Sequence, residues 1–216
     1  VLTKFHRAGI LKDIIIIGSW ALVFYKQYFS NIEYHPAIRT RDIDLLIANP
    51  RKLRKKVNIP EMLKEDGFIC HVKGLEGYVE LEHHDLIIEF LVPELGRGIS
   101  KPYAIDNLSI NAQALRYLNF LTEKPISVNL DNIPLKLPKP INFALHKLTI
   151  AQRRKNKDKA KKDLDSALNL LHVLDKKGDF NLIKKTYLRL PPGWKSQIIK
   201  SLKLIEEDAL IQRLKD

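Results

Sequence analysis

The chain has 216 residues, enough for one ordinary domain or two small ones with a buried core and a cleft. Apolar residues at 45% and charged residues at 29% exclude a disordered chain. The longest aliphatic run, Ile14 to Ile17, is too short for a membrane span, and a lone Cys70 excludes an internal disulfide or a Cys/His zinc site and fits a reducing cytoplasm. The chain opens on Val1 without a signal-peptide core, which leaves open a start further upstream.

The elements read as follows. Asp13 to Phe29 is a buried strand over Ile14 to Ile17, a Gly-Ser turn and an apolar helix with Trp20, Ala21, Leu22, Phe24 and Tyr25. A loop, Asn31 to Arg41, feeds a second strand, Asp42 to Ile47, ended by Asn49-Pro50. Pro60 to Gly67 is a helix with a glycine cap, Phe68 to Val72 a strand, and Gly77 to Val92 a hairpin with His83-His84-Asp85 near its turn. A loop at Gly96-Arg97-Gly98, a short helix around Ala112 to Leu121 and a hairpin of Ile126 to Leu130 with Pro134 to Leu137 follow. From Ile141 the strand signals vanish. Asn142 to Arg154, Lys159 to Leu174, Phe180 to Arg189 and Lys195 to Leu214 are predicted helices. Apolar stripes run along Leu164, Ala167, Leu168, Leu171 and Leu174 and along Ile198, Leu202, Ile205 and Ala209. An α/β domain over 1–138 and a basic helical domain over 139–216 are expected.

The formal charge of +12 is uneven: residues 1–100 hold 14 basic and 13 acidic side chains, residues 101–216 hold 23 and 12. Lys147 to Lys162 alone carries eight basic residues against Asp158. Such a block suits RNA or a nucleoside triphosphate, and equally a solvated helix face.

Three elements bear on chemistry. Gly18-Ser19 between a strand and a helix lets backbone approach a ligand, with free amides and a hydroxyl for phosphate oxygens. Asp42-Ile43-Asp44 on a strand puts two carboxylates on one face, where they repel unless a cation compensates. Magnesium, or manganese, together with substrate phosphates would do so; Arg39 and Arg41 offer a structural ion-pair cluster instead. Glu89, alone in an apolar run, either faces solvent or completes a buried acidic site. His83 and His84 would point to opposite faces of a strand, which favours a hairpin tip over a metal site. His146 reads as a satisfied interhelix histidine, Trp20 and Trp194 as packing anchors.

The order Ile17-Gly18-Ser19, Asp42-Ile43-Asp44, Ile88-Glu89-Phe90 resembles the polymerase-β-like nucleotidyltransferase superfamily. The style of Gly18 to Leu22, Thr40 to Leu46, Glu89 to Pro93 and Phe143 to Leu148 is similar to bacterial stand-alone members related to the abortive-infection toxin group. The resemblance implies an α+β fold, a nucleotidyltransferase-like mixed β-sheet flanked by helices and followed by a C-terminal helical bundle. It implies that Asp42, Asp44 and Glu89 hold two magnesium ions, that Gly18 and Ser19 bind the triphosphate, and that Lys147 and Arg154 face phosphate, with Arg41 and Asp163 in support. Two departures stand out: 24 positions separate Gly18 from Asp42, and the third acid is Glu rather than the commoner Asp.

The expected activity is metal-dependent transfer of a nucleoside monophosphate from a nucleoside triphosphate to a hydroxyl; the basic helical half favours RNA, including a tRNA end, as acceptor, and a small metabolite or a protein hydroxyl stays open. The alternative is a nucleotide- or RNA-binding module of the same fold with little catalysis, in a toxin-antitoxin or defence system where a partner protein controls it.

Overall fold

Four consecutive isoleucines, Ile14–Ile17, form β1, and all four are buried, as in a central strand covered on both faces. The computed structural model describes residues 1–36, 40–74, 77–94, 96 and 102–216; Arg39, Arg97 and Gly98 lie outside the described residues. The described elements are α1 (Leu2–Arg7), β1, α2 (Gly18–Tyr28), β2 (Asp42–Ile47), α3 (Ile59–Lys64), β3 (Ile69–Lys73), β4 (Tyr78–Glu82), β5 (Ile87–Pro93), β6 (Tyr103–Ile105), β7 (Ile110–Leu115), β8 (Ile126–Leu130), β9 (Ile133–Leu137), α4 (Pro140–Ala151), α5 (Lys157–Lys176), α6 (Phe180–Leu188), α7 (Pro192–Leu204) and α8 (Asp208–Lys215). They divide into two compact units, Val1–Tyr28 with Ile38–Pro138, and Phe29–Ala37 with Lys139–Asp216.

The first unit is built on a mixed sheet in the order β3-β4-β5-β2-β1-β9-β8, with β7 pairing β5 beyond the end of β4, and β6 pairing β7. The β1/β9, β2/β5 and β5/β7 pairs are parallel, the others antiparallel. Alternation in β2 buries Ile43, Leu45 and Ile47 on one face and turns Asp42 and Asp44 to the other. The helix α2 packs its Ala21, Leu22 and Tyr25 side against the sheet, and the Tyr25 hydroxyl donates to the Pro138 carbonyl at 2.9 Å. Asp131 and Asn132, both at positive φ (47° and 65°), make the two-residue turn that joins β8 to β9.

The second unit is helical. Asn156 caps α5 by accepting the Lys159 amide at 3.0 Å, and α4 packs against α5 and α7. Residues 29–36 belong to this unit rather than to the sheet. The rings of Phe29 and Tyr34 lie 5.1 Å apart, and Asn169 on α5 donates to the His35 carbonyl at 3.2 Å.

Two elements differ from the sequence reading. Residues 112–121 are not a helix: Ile110 and Ala112 are buried at a spacing of two, so this stretch is β7, followed by a 3-10 turn over Leu118–Thr122. The last predicted helix is two. Glu206 at φ 58° ends α7, so Ile205 and Ala209 leave the apolar stripe, which Leu210, Ile211 and Leu214 resume on α8.

Candidate active site

Gly18 follows β1 directly and opens α2 with φ +62°, a left-handed value that glycine tolerates without strain. A side chain there has no room either, since an added Cβ would overlap the Asp44 carboxylate. The first amides of the eleven-residue α2 lack partners within the helix, so the β1–α2 turn offers N–H donors from Gly18 onward, with Ser19 half-buried at the second position.

Strand register assembles the carboxylates. Ile17 pairs with Asp44 across β1 and β2, Asp44 with Glu89 across β2 and β5, and Glu89 with Glu80 across β5 and β4. Neighbouring strands stand about 4.8 Å apart, so Asp44, Glu89 and Glu80 form a row on one sheet face. Asp42 lies two residues earlier on that face. Asp42 is exposed, Asp44 and Glu89 half-buried, while Ile43, Leu45, Ile88 and Phe90 fill the opposite face. The three acids singled out from sequence are therefore brought together by one parallel strand pair.

Arg41 does not stand against the Asp pair as an ion-pair partner. Its Nη2 donates to the His83 carbonyl at 3.0 Å and lies 3.5 Å from Glu82, while its own carbonyl accepts the Ile87 amide at 2.8 Å. It ties the start of β2 to the β4–β5 hairpin. The Asp42 amide donates to Thr40 Oγ1 at 3.2 Å and fixes the same corner.

Sequence reasoning missed Glu80. It is 8% exposed, sits directly across from Glu89, and is compensated by Lys73 Nζ at 2.9 Å; that carboxylate in turn holds the Lys73 ammonium above its ordinary pKa. The signal was present in Val79-Glu80-Leu81, where an acid alternates with buried apolar residues. Placing it in the row required the hairpin register.

The donor set suits a hard dication. It consists of carboxylate oxygens on adjacent strands, with the Asp44 carboxylate packed against the Gly18 backbone where a larger residue would displace it, and such an all-oxygen set fits magnesium or manganese.

In the second unit Asp163, 3% exposed, accepts from the Lys147 ammonium and from Arg154 Nε at 2.8 Å. Two cations thus share one carboxylate. His146 beside them is not satisfied: neither ring nitrogen has a hydrogen-bond partner among the described residues. Burial, and next the Lys147 charge, push its pKa down to about 3, so the imidazole is neutral.

The family described as Nucleotidyltransferase matches residues 1–188. The chain belongs to this nucleotidyltransferase family. Among solved structures it is similar to an antigenic nucleotidyltransferase-like protein from Paracoccidioides brasiliensis, at TM-score 0.52 and 13% identity over 100% of this chain and 90% of that one. That likeness establishes the nucleotidyltransferase-like fold. The antibiotic-resistance factor ANT(2'')-Ia is also similar, in solution (TM-score 0.45, 11% identity, 98% of this chain and 94% of that one) and in complex with adenylyl-2''-tobramycin (0.47, 13%, 87% and 97%). No curated protein sequence matches the chain. Among the described residues no helix is long and apolar enough to cross a membrane.

Proposed function

We propose that this nucleotidyltransferase moves a nucleoside monophosphate from a nucleoside triphosphate to an acceptor hydroxyl at the Asp42, Asp44 and Glu89 carboxylates. The observation that carries this reading is the pairing of Asp44 with Glu89 across parallel strands, beside the Gly18 turn. Asp42, Asp44 and Glu89 would hold magnesium or manganese ions, which when bound would polarise the α-phosphate and lower the pKa of the attacking hydroxyl. The α2 amides and the Ser19 hydroxyl donate to the phosphate oxygens. The acceptor oxygen forms a bond to the α-phosphorus, the bond to the bridging oxygen breaks, and pyrophosphate leaves with the electron pair. The hydroxyl proton passes to a carboxylate oxygen, a role this reading gives to Glu89, the strand neighbour of Asp44. Positioning and charge neutralisation supply most of the rate in such chemistry.

RNA is the acceptor this reading favours. Arg153, Lys155, Lys157, Lys159, Lys161 and Lys162 are all exposed, four of them in the first two turns of α5, where the helix dipole adds to their positive potential. The two cations on Asp163 leave a net positive charge that suits phosphate as well. The likeness of Gly18 to Leu22 and Phe143 to Leu148 to the abortive-infection toxin group supports a toxin-like role with a controlling partner protein. The lone exposed Cys70 fits the cytoplasm.

The test incubates the protein with magnesium, each α-labelled nucleoside triphosphate and total bacterial RNA, alongside Asp42→Asn/Asp44→Asn. Label entering RNA only with the native protein supports the reading. Label entering a small polyol but not RNA replaces the acceptor, and no transfer to any hydroxyl overturns the reading.

A further inference from the structure

The turn between β4 and β5 carries metal-ligating side chains outside the carboxylate row. The alternation that separates adjacent histidines on a strand does not apply here, because His83 and His84 lie beyond β4 and before β5. Their rings meet instead, with centroids 4.2 Å apart and His84 Nδ1 3.1 Å from His83 Nε2. The turn that sets this is fixed from several sides. The His83 amide donates to the Leu86 carbonyl at 2.8 Å, and the His83 carbonyl accepts from the Leu86 amide at 3.2 Å and from Arg41 at 3.0 Å. The His83 ring lies 5.2 Å from the Phe68 ring and over Gly67, where a Cβ would sit 3.6 Å from it. On the other side of the His84 ring, Nε2 is 2.7 Å from Asp85 Oδ2.

Two facing imidazole nitrogens share either one proton or one cation. Metal–imidazole bonds of about 2.0–2.1 Å put neighbouring ligand nitrogens roughly 2.9–3.4 Å apart, from octahedral to tetrahedral angles. The observed 3.1 Å falls within that range, and ligation through His83 Nε2 moves the ring proton to Nδ1, which turns away from the Asp85 amide now 3.5 Å from it. Asp85 stands where an outer carboxylate fixes a ligating histidine: it takes the Nε2 proton and leaves the Nδ1 lone pair for a metal. We propose that His83 Nε2 and His84 Nδ1 form a two-imidazole site for a borderline first-row dication such as Zn2+ or Ni2+, with Asp85 orienting His84 and water completing the coordination. Nitrogen ligands select these ions over magnesium, so the site differs in chemistry from the all-oxygen row. The His84 and Asp85 side chains are 75% and 74% exposed, and the site is open to solution.

The test titrates the full chain with Zn2+ in excess Mg2+ while the imidazole resonances of its seven histidines are followed by NMR. Saturable shifts at His83 and His84 are expected, retained in Asp42→Asn/Asp44→Asn. His84→Gln should weaken binding at least tenfold, and Asp85→Asn by about tenfold. Neither change should alter the melting temperature of the metal-free protein. Shifts confined to other histidines, unchanged affinity in His84→Gln, or loss of zinc binding in the Asp42/Asp44 variant alone would overturn the assignment.

Discussion

Gly18 and Asp44 contend for one space: a Cβ on residue 18 would stand 2.9 Å from Asp44 Cγ and closer still to Oδ2. The strand-to-helix turn and the strand carboxylate are thereby fixed relative to each other by the absence of a single carbon. Backbone conformation enforces the same choice, because Gly18 has φ +62°.

Gly18→Ala should therefore strike function harder than stability. The left-handed conformation costs about 1 kcal/mol for alanine. The displaced Asp44 carboxylate, moved by roughly an ångström, should lower kcat on the order of a hundredfold. Steady-state kinetics beside a thermal melt checks both; an active Gly18→Ala enzyme would mean that Asp44 is not held against the turn.

Glu80 and Lys73 form the second test of the row. Like charges directly opposite on neighbouring strands destabilise a sheet, and Lys73 offsets the Glu80–Glu89 pairing. Lys73→Met should lower the melting temperature, and Glu80→Gln in that background should restore it. If the double variant melts no higher than Lys73→Met, the two carboxylates do not sense each other.

His146 gives the helical unit a pH signature. Its folded pKa of about 3 lies below the unfolded value near 6.5, so the unfolded chain takes up a proton that the folded chain refuses. The stability that depends on the neutral ring is complete above the unfolded pKa and is lost as pH falls towards 3, at about 1.4 kcal/mol per pH unit. Urea unfolding between pH 7 and 4 should show this slope reduced by one proton in His146→Leu. At pH 7 that variant should be as stable as the native protein or more so, since it removes an unpaired buried donor.

Asp163 binds two cations, and the consequence is an asymmetry between its variants. Asp163→Asn leaves Lys147 and Arg154 facing each other without a carboxylate and should cost about 3–5 kcal/mol. Lys147→Met keeps the Arg154 pair and should cost less, a ranking that denaturant melts resolve.

The basic helix start predicts a salt dependence for RNA. Charge reversal at Lys155, Lys157 and Lys161 should reduce the slope of log affinity against log salt by about 0.7 for each phosphate that is no longer neutralised. An unchanged slope would remove RNA from this surface. Arg154 is unsuited to that experiment, because its guanidinium is committed to Asp163.

Much of this was legible in the sequence because the relevant signals are local. Four isoleucines before Gly-Ser announced the first strand and turn, and Asp42-Ile43-Asp44 carried its own alternation. What was hidden depends on pairing across the chain. Glu80 joins the row only through antiparallel register with Glu89, and Arg41 turns to the His83 carbonyl rather than to the aspartates. The facing of His83 and His84 was concealed by applying strand geometry to residues that lie in a turn. Residues 112–121 misled for a related reason: Ala112, Ala114 and Leu115 are sound helix formers, but pairing with β5 outweighs their propensity.

In the proposed function Asp42, Asp44 and Glu89 act as one divalent-cation site serving a nucleoside triphosphate. Electron paramagnetic resonance of Mn2+, titrated into the protein with a non-hydrolysable triphosphate, tests it without requiring the acceptor. Saturable Mn2+ binding by the native chain, lost in Asp44→Asn and weakened in Glu89→Gln with both variants still folded, is the predicted result. Equal Mn2+ binding by the native chain and both variants would contradict it.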